Sequence, residues 1–238
     1  MPTYSTTKSF DLAINDIIQE AYERVGIEVK SGYDLVTARR SLNLLLTKWV
    51  NEGVNLFTLD LTTLTLTKDS ATVNLAANQY LDILDATVRD TNSSPVTDTE
   101  CERISLSEYL NYPNKTTSGK PVQFAVERNS QYDSSGVANH KVYLFPVPDQ
   151  TYYRLHCWTI RYPQDISETY TQNPDIPRRY LPALISGLAF ELANKHPDKV
   201  DATRRAELKG IYQEEWDFAK EEDRERASFY IQPKIRGY

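Results

Sequence analysis

The run Tyr153-Arg154-Leu155-His156-Cys157-Trp158-Thr159 alternates two sets of side chains. Tyr153, Leu155, Cys157 and Thr159 take one parity; Arg154, His156 and Trp158 take the other. Successive side chains of a strand point to opposite faces, so this is the pattern of a half-buried strand, expected over Tyr152–Arg161. The same texture of Thr, Tyr, Val and Leu, punctuated by Pro, Asn, Ser and Asp, extends over residues 57–173. Further strands are expected at Ile83–Val88, Val122–Glu127 and Lys141–Phe145. Lys68-Asp69-Ser70 reads as a hairpin turn before Val73 and Leu75. Phe57, Leu59 and Leu61 share a parity that Leu64 and Leu66 do not, which predicts a bulge or kink near Thr62-Thr63. Ser105–Leu110 reads as one helical turn capped by Ser105 or Ser107, and 91–100 and 129–139 read as loops. Short strands at close spacing argue an antiparallel β-sandwich or barrel-like domain.

On both sides of this zone the period changes to that of helices. Phe10, Ile14, Ile17, Ala21 and Val25 line one face of a helix that Gly26 stops. Ser31 with Asp34 suggests a cap for a second helix that buries Leu35, Ala38, Leu42, Leu45 and Trp49 and ends at Gly53. Together the two make an αα-hairpin. After the β zone, Leu181, Leu184, Leu188 and Leu192 form another stripe, with Pro177 and Pro182 near its start, since an interior proline costs about 3 kcal/mol. His196-Pro197 ends it. Asp198 is the expected cap of a last helix carrying Leu208, Ile211, Phe218 and Ala219 on one face. The expected architecture is α+β. Residues 1–56 and 174–226 form a discontinuous helical bundle, 57–173 an inserted β domain, and 227–238 an extended arm.

The chain has 238 residues and a net charge of −6. That length buries a large core without disulfide or metal staples. The acidic balance disfavours tight binding to duplex DNA, which needs a basic surplus. No apolar run reaches the roughly 18 residues of a membrane span, and the N-terminus lacks the apolar core of a signal peptide. Cys101 and Cys157 read as lone buried thiols. There are 16 tyrosines against 8 glycines, a ratio that suits half-buried strands and wet interfaces.

Candidate chemistry is sparse. His140, His156 and His196 have no ligand-spaced partner, so neither a metal nor a cofactor is expected. Ser118-Gly119-Lys120 ends like a phosphate loop but lacks the first glycine, and Pro121 stands where Ser or Thr would hold magnesium. Asn92-Ser93-Ser94 and Asn114-Lys115-Thr116 match the glycosylation triplet without a secretion signal. The Arg39-Arg40, Arg178-Arg179 and Arg204-Arg205 pairs read as salt-bridge partners on two helix faces each. Without a nucleophile, an acid–base pair or a metal cluster, no enzyme is expected and no catalytic residue is assigned.

Two features point to partners instead. Glu214, Glu215, Asp217, Glu221 and Glu222 read either as a solvated helix face or as an acidic face, turned to a lumen or to a neighbouring subunit, that repels DNA so that it slides. The arm, with Phe229, Tyr230, Ile231, Pro233, Lys234, Ile235, Arg236 and Tyr238, is apolar and basic with no acid. Such a segment reads either as a strap on its own subunit or a frayed terminus, or as an arm docking into a groove on a partner, its aromatic anchors supplying hot-spot contacts.

Four stretches in this order resemble the head-to-tail adaptors of short-tailed bacteriophages, also called connectors, packaged-DNA stabilisation proteins or tail tubular protein A. They are Tyr33–Gly53 with its terminal Trp and Gly; Leu81–Asp90 followed by Ile104–Tyr109; Gly119-Lys120-Pro121 followed by Leu144–Asp149; and Tyr180–Ala189 with the charged helix and Phe229–Pro233. The resemblance implies a structural virion protein at the head–tail interface, made in the host cytoplasm. It implies a homo-oligomeric ring, a dodecamer in such adaptors, beneath the portal protein ring, with the arm inserted into the portal. It also implies a tail nozzle or other tail protein on the far side, and double-stranded DNA passing without tight binding. A second reading is a tail-associated receptor- or glycan-binding β module.

Overall fold

A computed structural model describes residues 12–28, 32–53, 56–128, 138–166 and 173–222. The elements in chain order are α1 (Ile14–Val25), α2 (Gly32–Asn51), β1 (Leu59–Thr65), β2 (Thr72–Ala76), β3 (Tyr80–Asp90), β4 (Thr97–Arg103), α3 (Leu106–Leu110), β5 (Ser118–Gly119), β6 (Gln123–Glu127), β7 (Asn139–Phe145), β8 (Val147–Pro148), β9 (Tyr153–Arg161), α4 (Leu181–Lys195) and α5 (Ala202–Glu222). They form two compact units, one drawn from Met1–Phe57 and Gln164–Tyr238, the other Thr58–Pro163.

In the helical unit, α4 is buried on nearly every side and is the hub on which α1, α2 and α5 pack. α1 touches α4 far more than α2, so the two N-terminal helices pair through α4 more than with each other. The expected stripes of α1, α2 and α4 are in place. Ile14, Ile17, Ala21 and Val25 are buried, as are Ala38, Leu42, Leu45 and Trp49, and Leu181, Leu184, Leu188 and Leu192. Gly26 and Gly53 have φ of 81° and 82°, a left-handed conformation that suits glycine at a helix C-terminus. Phe10 and Ser31 lie outside the described residues.

Two expectations for α5 change. Its cap is Asp201, whose Oδ1 accepts the Arg204 N–H at 2.8 Å, three residues beyond Asp198. Its buried face is Leu208, Tyr212, Trp216 and Ala219, while Ile211 and Phe218 are 41% and 69% exposed. At 3.6 residues per turn, Phe218 lies roughly 120° from the centre of the buried face, so apolar character alone misplaced it.

The β unit is a large mixed sheet, nearly barrel-like, in the order β1-β9-β3-β4-β6-β7-β2. Its edge strands β1 and β2 are consecutive in sequence. The turn at Lys68-Asp69 therefore joins the two edges of the sheet and is not a hairpin. Leu66 N–H bonds the Tyr153 carbonyl, and Leu144 N–H bonds the Ala71 carbonyl, tying the link at both edges. Leu66, Leu75, Ile83, Val88, Phe124, Val142, Leu144 and Leu155 fill the interior. The β4–β6 pair is parallel, because the chain crosses through α3 and returns in the same direction, where an antiparallel sheet was expected.

β1 pairs with β9 in unbroken register from Leu59–Ile160 to Thr65–Arg154, so the bulge expected at Thr62-Thr63 is absent. Leu61 instead faces outward, 54% exposed. The register shifts lie in β3, between Tyr80 and Asp82 and between Ile83 and Asp85. Residues 97–103, partly expected to be loop, form β4, where only Cys101 is buried. Of the expected 129–139 loop, 129–137 lie outside the described residues, and Asn139 already belongs to β7. Ser105 caps α3 with a complete capping box to Glu108.

Candidate functional site

The acidic residues of α5 are positioned by the core beneath them. Trp216 stacks on Trp49 with centroids 4.5 Å apart and an interplanar angle of 20°. Its Nε1 donates to Glu52 at 2.6 Å, while Trp49 Nε1 donates to the Tyr212 hydroxyl at 2.9 Å. Burial pushes the Tyr212 phenol above its usual range, and the Trp49 hydrogen bond acts the other way. With Tyr212 and Trp216 held inward, the opposite side of α5 is set. Glu214, Asp217 and Glu221 follow one another at helical spacing on one flank, all exposed. Glu215, half-buried, and exposed Glu222 lie on the other flank. Ile211 and Phe218 run between the two acidic rows.

A second outward face lies on α2. Tyr33, Val36 and Leu44 are 75%, 43% and 64% exposed. They share one side of the helix with exposed Arg40 and Lys48, opposite the buried Ala38, Leu42, Leu45 and Trp49. The Lys195 ammonium donates to the Thr37 carbonyl at 2.9 Å beside this face. Burial first and Arg40 second pull its pKa below the usual lysine range. Composition hid this face, because α2 is apolar on two sides and the core stripe explained most of it.

The β unit carries a third outward apolar group. Leu61 on β1 is the register partner of Trp158 on β9, which faces Asp85 on β3. The β3 irregularity beside Asp85 leaves Leu84 exposed, along with Leu61 and Trp158.

Neither the residues singled out for chemistry nor the carboxylates of β3 converge on a site. Asp82 is an ion-pair hub: both its oxygens accept from Arg103 at 3.0 Å, Arg128 lies 3.9 Å away, and Oδ1 accepts the Ile83 N–H. Asp85 accepts the Ala86 N–H at 2.8 Å. Lys120 reaches Thr99 at 2.6 Å, so Ser118-Gly119-Lys120 lies against the sheet. His140 Nε2 sits 3.0 Å from the Tyr80 carbonyl and His156 Nε2 lies 3.3 Å from Thr63. Arg204 holds Glu207 and the Arg24 carbonyl, and Arg179 lies over the Tyr180 ring. A groove of about 640 Å³ runs between α1 and the start of α4, but its Glu20 and Glu23 already pair with Arg24 and Gln19.

Cys101 and Cys157 are free and buried, each pushed by burial to about 12. Both are register partners of Ala86, one on each side, so two strand spacings of about 4.8 Å separate them and a bridge cannot form. Among the described residues no three His, Cys, Asp or Glu gather as a metal site, and no helix is long and apolar enough to cross a membrane. The expected docking arm, Phe229, Tyr230, Ile231, Pro233, Lys234, Ile235, Arg236 and Tyr238, lies outside the described residues.

Exposed apolar faces rimmed by charge are what a protein built to meet other proteins presents. The family model of the SU10 adaptor protein matches residues 10–233. The chain belongs to the SU10 adaptor protein family. It is a phage adaptor, a structural component of the virion that associates with portal and tail components. No curated protein matches the adaptor. The match takes in both units, all of α5 and the first part of the arm, so the helical ends and the β insertion belong to one family pattern.

Proposed function

We propose that this adaptor joins head to tail in a short-tailed phage. Its subunits assemble as a dodecameric ring beneath the portal. Residues 227–238 of each subunit dock into the portal, a tail nozzle or other tail protein binds the far side, and DNA passes through the lumen without tight binding. The observation that carries this reading is the family match over residues 10–233, which takes in both units. The aromatic, basic composition of the arm supports docking, and a ring of individually weak arms binds a partner ring with high avidity. The exposed carboxylates of α5 support a surface that DNA does not stick to. No catalytic step is proposed.

The test is a chain ending at residue 226. It is expected to keep the circular dichroism and melting temperature of the full protein and to leave portal rings undecorated in electron micrographs. Portal rings decorated as fully by the shortened chain would overturn the docking role of the arm. Exposed Trp158 on the sheet face favours the second reading, a receptor- or glycan-contacting β unit. A reproducible sugar preference on a glycan array, lost in Trp158→Ala, would raise that reading above the first.

A further inference from the structure

Two outward helix faces of the helical unit are complementary in charge and alike in apolar content. On α2, Tyr33, Val36 and Leu44 are exposed together with Arg40, while Lys48 turns its ammonium over the Tyr212 ring at 5.7 Å. No acid stands among the positions of that stripe, and the Lys195 ammonium at the Thr37 carbonyl adds a second cation beside it. On α5, Ile211 and Phe218 are exposed between Glu214, Asp217 and Glu221 on one flank and Glu215 and Glu222 on the other. Lys220, the one cation among the described residues 211–222, lies over the Trp216 ring at 6.0 Å, away from Phe218.

We propose that these faces are the two halves of one heterologous contact between copies of this chain, α2 of one subunit lying on α5 of the next. The inference rests on the ring reading and adds to it the surfaces that close the ring. Each face alone is a poor partner for itself. Two α5 faces would set carboxylates against carboxylates, and two α2 faces would set Arg40 and Lys195 against their own kind. Apposed to each other, Phe218 and Ile211 meet an apolar stripe, and the acidic rows meet cations. Different patches on one subunit make a head-to-tail contact, the kind that generates rings when the rotation closes. The partner is a second copy because the chain itself presents both complements.

The test uses the full chain and two single variants, Leu44→Asp and Phe218→Asp, both at exposed positions and both checked for parental melting temperature. Sedimentation velocity is run on each alone, on an equimolar mixture, and on the parent with and without portal. The parent is expected to assemble, and each variant alone is expected to sediment as a single subunit at the same concentration. The mixture is expected to give a one-to-one dimer and nothing larger. The Leu44→Asp chain keeps an intact α5 and the Phe218→Asp chain an intact α2, so one good contact forms and the second pits Asp against acid. If either variant alone assembles like the parent, the α2–α5 contact is wrong while the ring reading stands. A variant-specific loss in which only one substitution matters means an isologous contact and overturns the proposal too. A parent that remains a single subunit, alone and on the portal, removes the ring reading and this inference with it.

Discussion

Gly187 shows how one missing side chain sets the spacing of three helices. A Cβ there would come within 2.8 Å of Leu45 Cδ2 and 2.9 Å of Tyr212 Cε2. Leu45 is buried, and the Tyr212 ring is held by the Trp49 hydrogen bond and stacked on Phe190, so neither can give way. Gly187→Ala gains up to about 1 kcal/mol of helix propensity, but overpacking costs about 1–3 kcal/mol. A net loss of up to about 2 kcal/mol is expected as a lower urea midpoint. The thiols give a second residue-scale test. Burial raises Cys101 and Cys157 to about 12 from an ordinary 9.0, so the fold prefers them protonated. Their contribution is fully present below the ordinary value and is lost as pH climbs towards the folded one. Stability should therefore fall above about pH 9, by up to about 1.4 kcal/mol per pH unit for each thiol. Urea midpoints across about pH 8 to 10 check it, and a Cys101→Ala, Cys157→Ala double variant should show a shallower decline.

At the scale of elements, α5 depends on its first turn and on two tryptophan-linked helices. Asp201 satisfies one of the free N–H groups of that turn. Asp201→Ala should cost about 1 kcal/mol, measurable as a lower thermal midpoint, with the native fold retained. The helices were largely legible because their core stripes obey a 3.6 period, and glycines mark the ends of α1 and α2. β3, β6, β7 and β9 were legible because Ile83–Val88, Val122–Glu127 and their like are rich in β-branched and aromatic residues. β4 was not: Thr97-Asp98-Thr99-Glu100-Cys101-Glu102-Arg103 offers one apolar side chain to the interior, and only pairing with β3 makes it a strand. The outward faces of α2 and α5 were illegible for the opposite reason. Leu44, Ile211 and Phe218 look like core residues until Leu45, Tyr212 and Trp216 are seen to occupy the core instead.

For the whole molecule, the chain enters and leaves the β unit at adjacent points. Leu59 pairs with Ile160, so the two crossings lie side by side on neighbouring antiparallel strands. An insertion whose ends meet, with its own enclosed core of Leu66, Ile83, Phe124 and Leu155, satisfies the conditions for folding alone. A fragment of residues 58–163 is expected to unfold cooperatively in urea, followed by far-ultraviolet circular dichroism. A non-cooperative transition would show that the helical unit is needed to hold the sheet.

The sequence by itself determined the α+β class, the order of helices around an inserted β zone, the helical turn of α3 and the likeness to adaptor proteins. Those follow from periodicity, turn chemistry and motif order, which are local along the chain. Only the tertiary structure decided that β1 and β2 are the two edges of one nearly closed sheet, that the irregularity sits in β3, and which apolar side chains of α2 and α5 are left outside. Each of these depends on partners distant in sequence: strand register is set by pairing, and a helix face is inside or outside only relative to what packs against it.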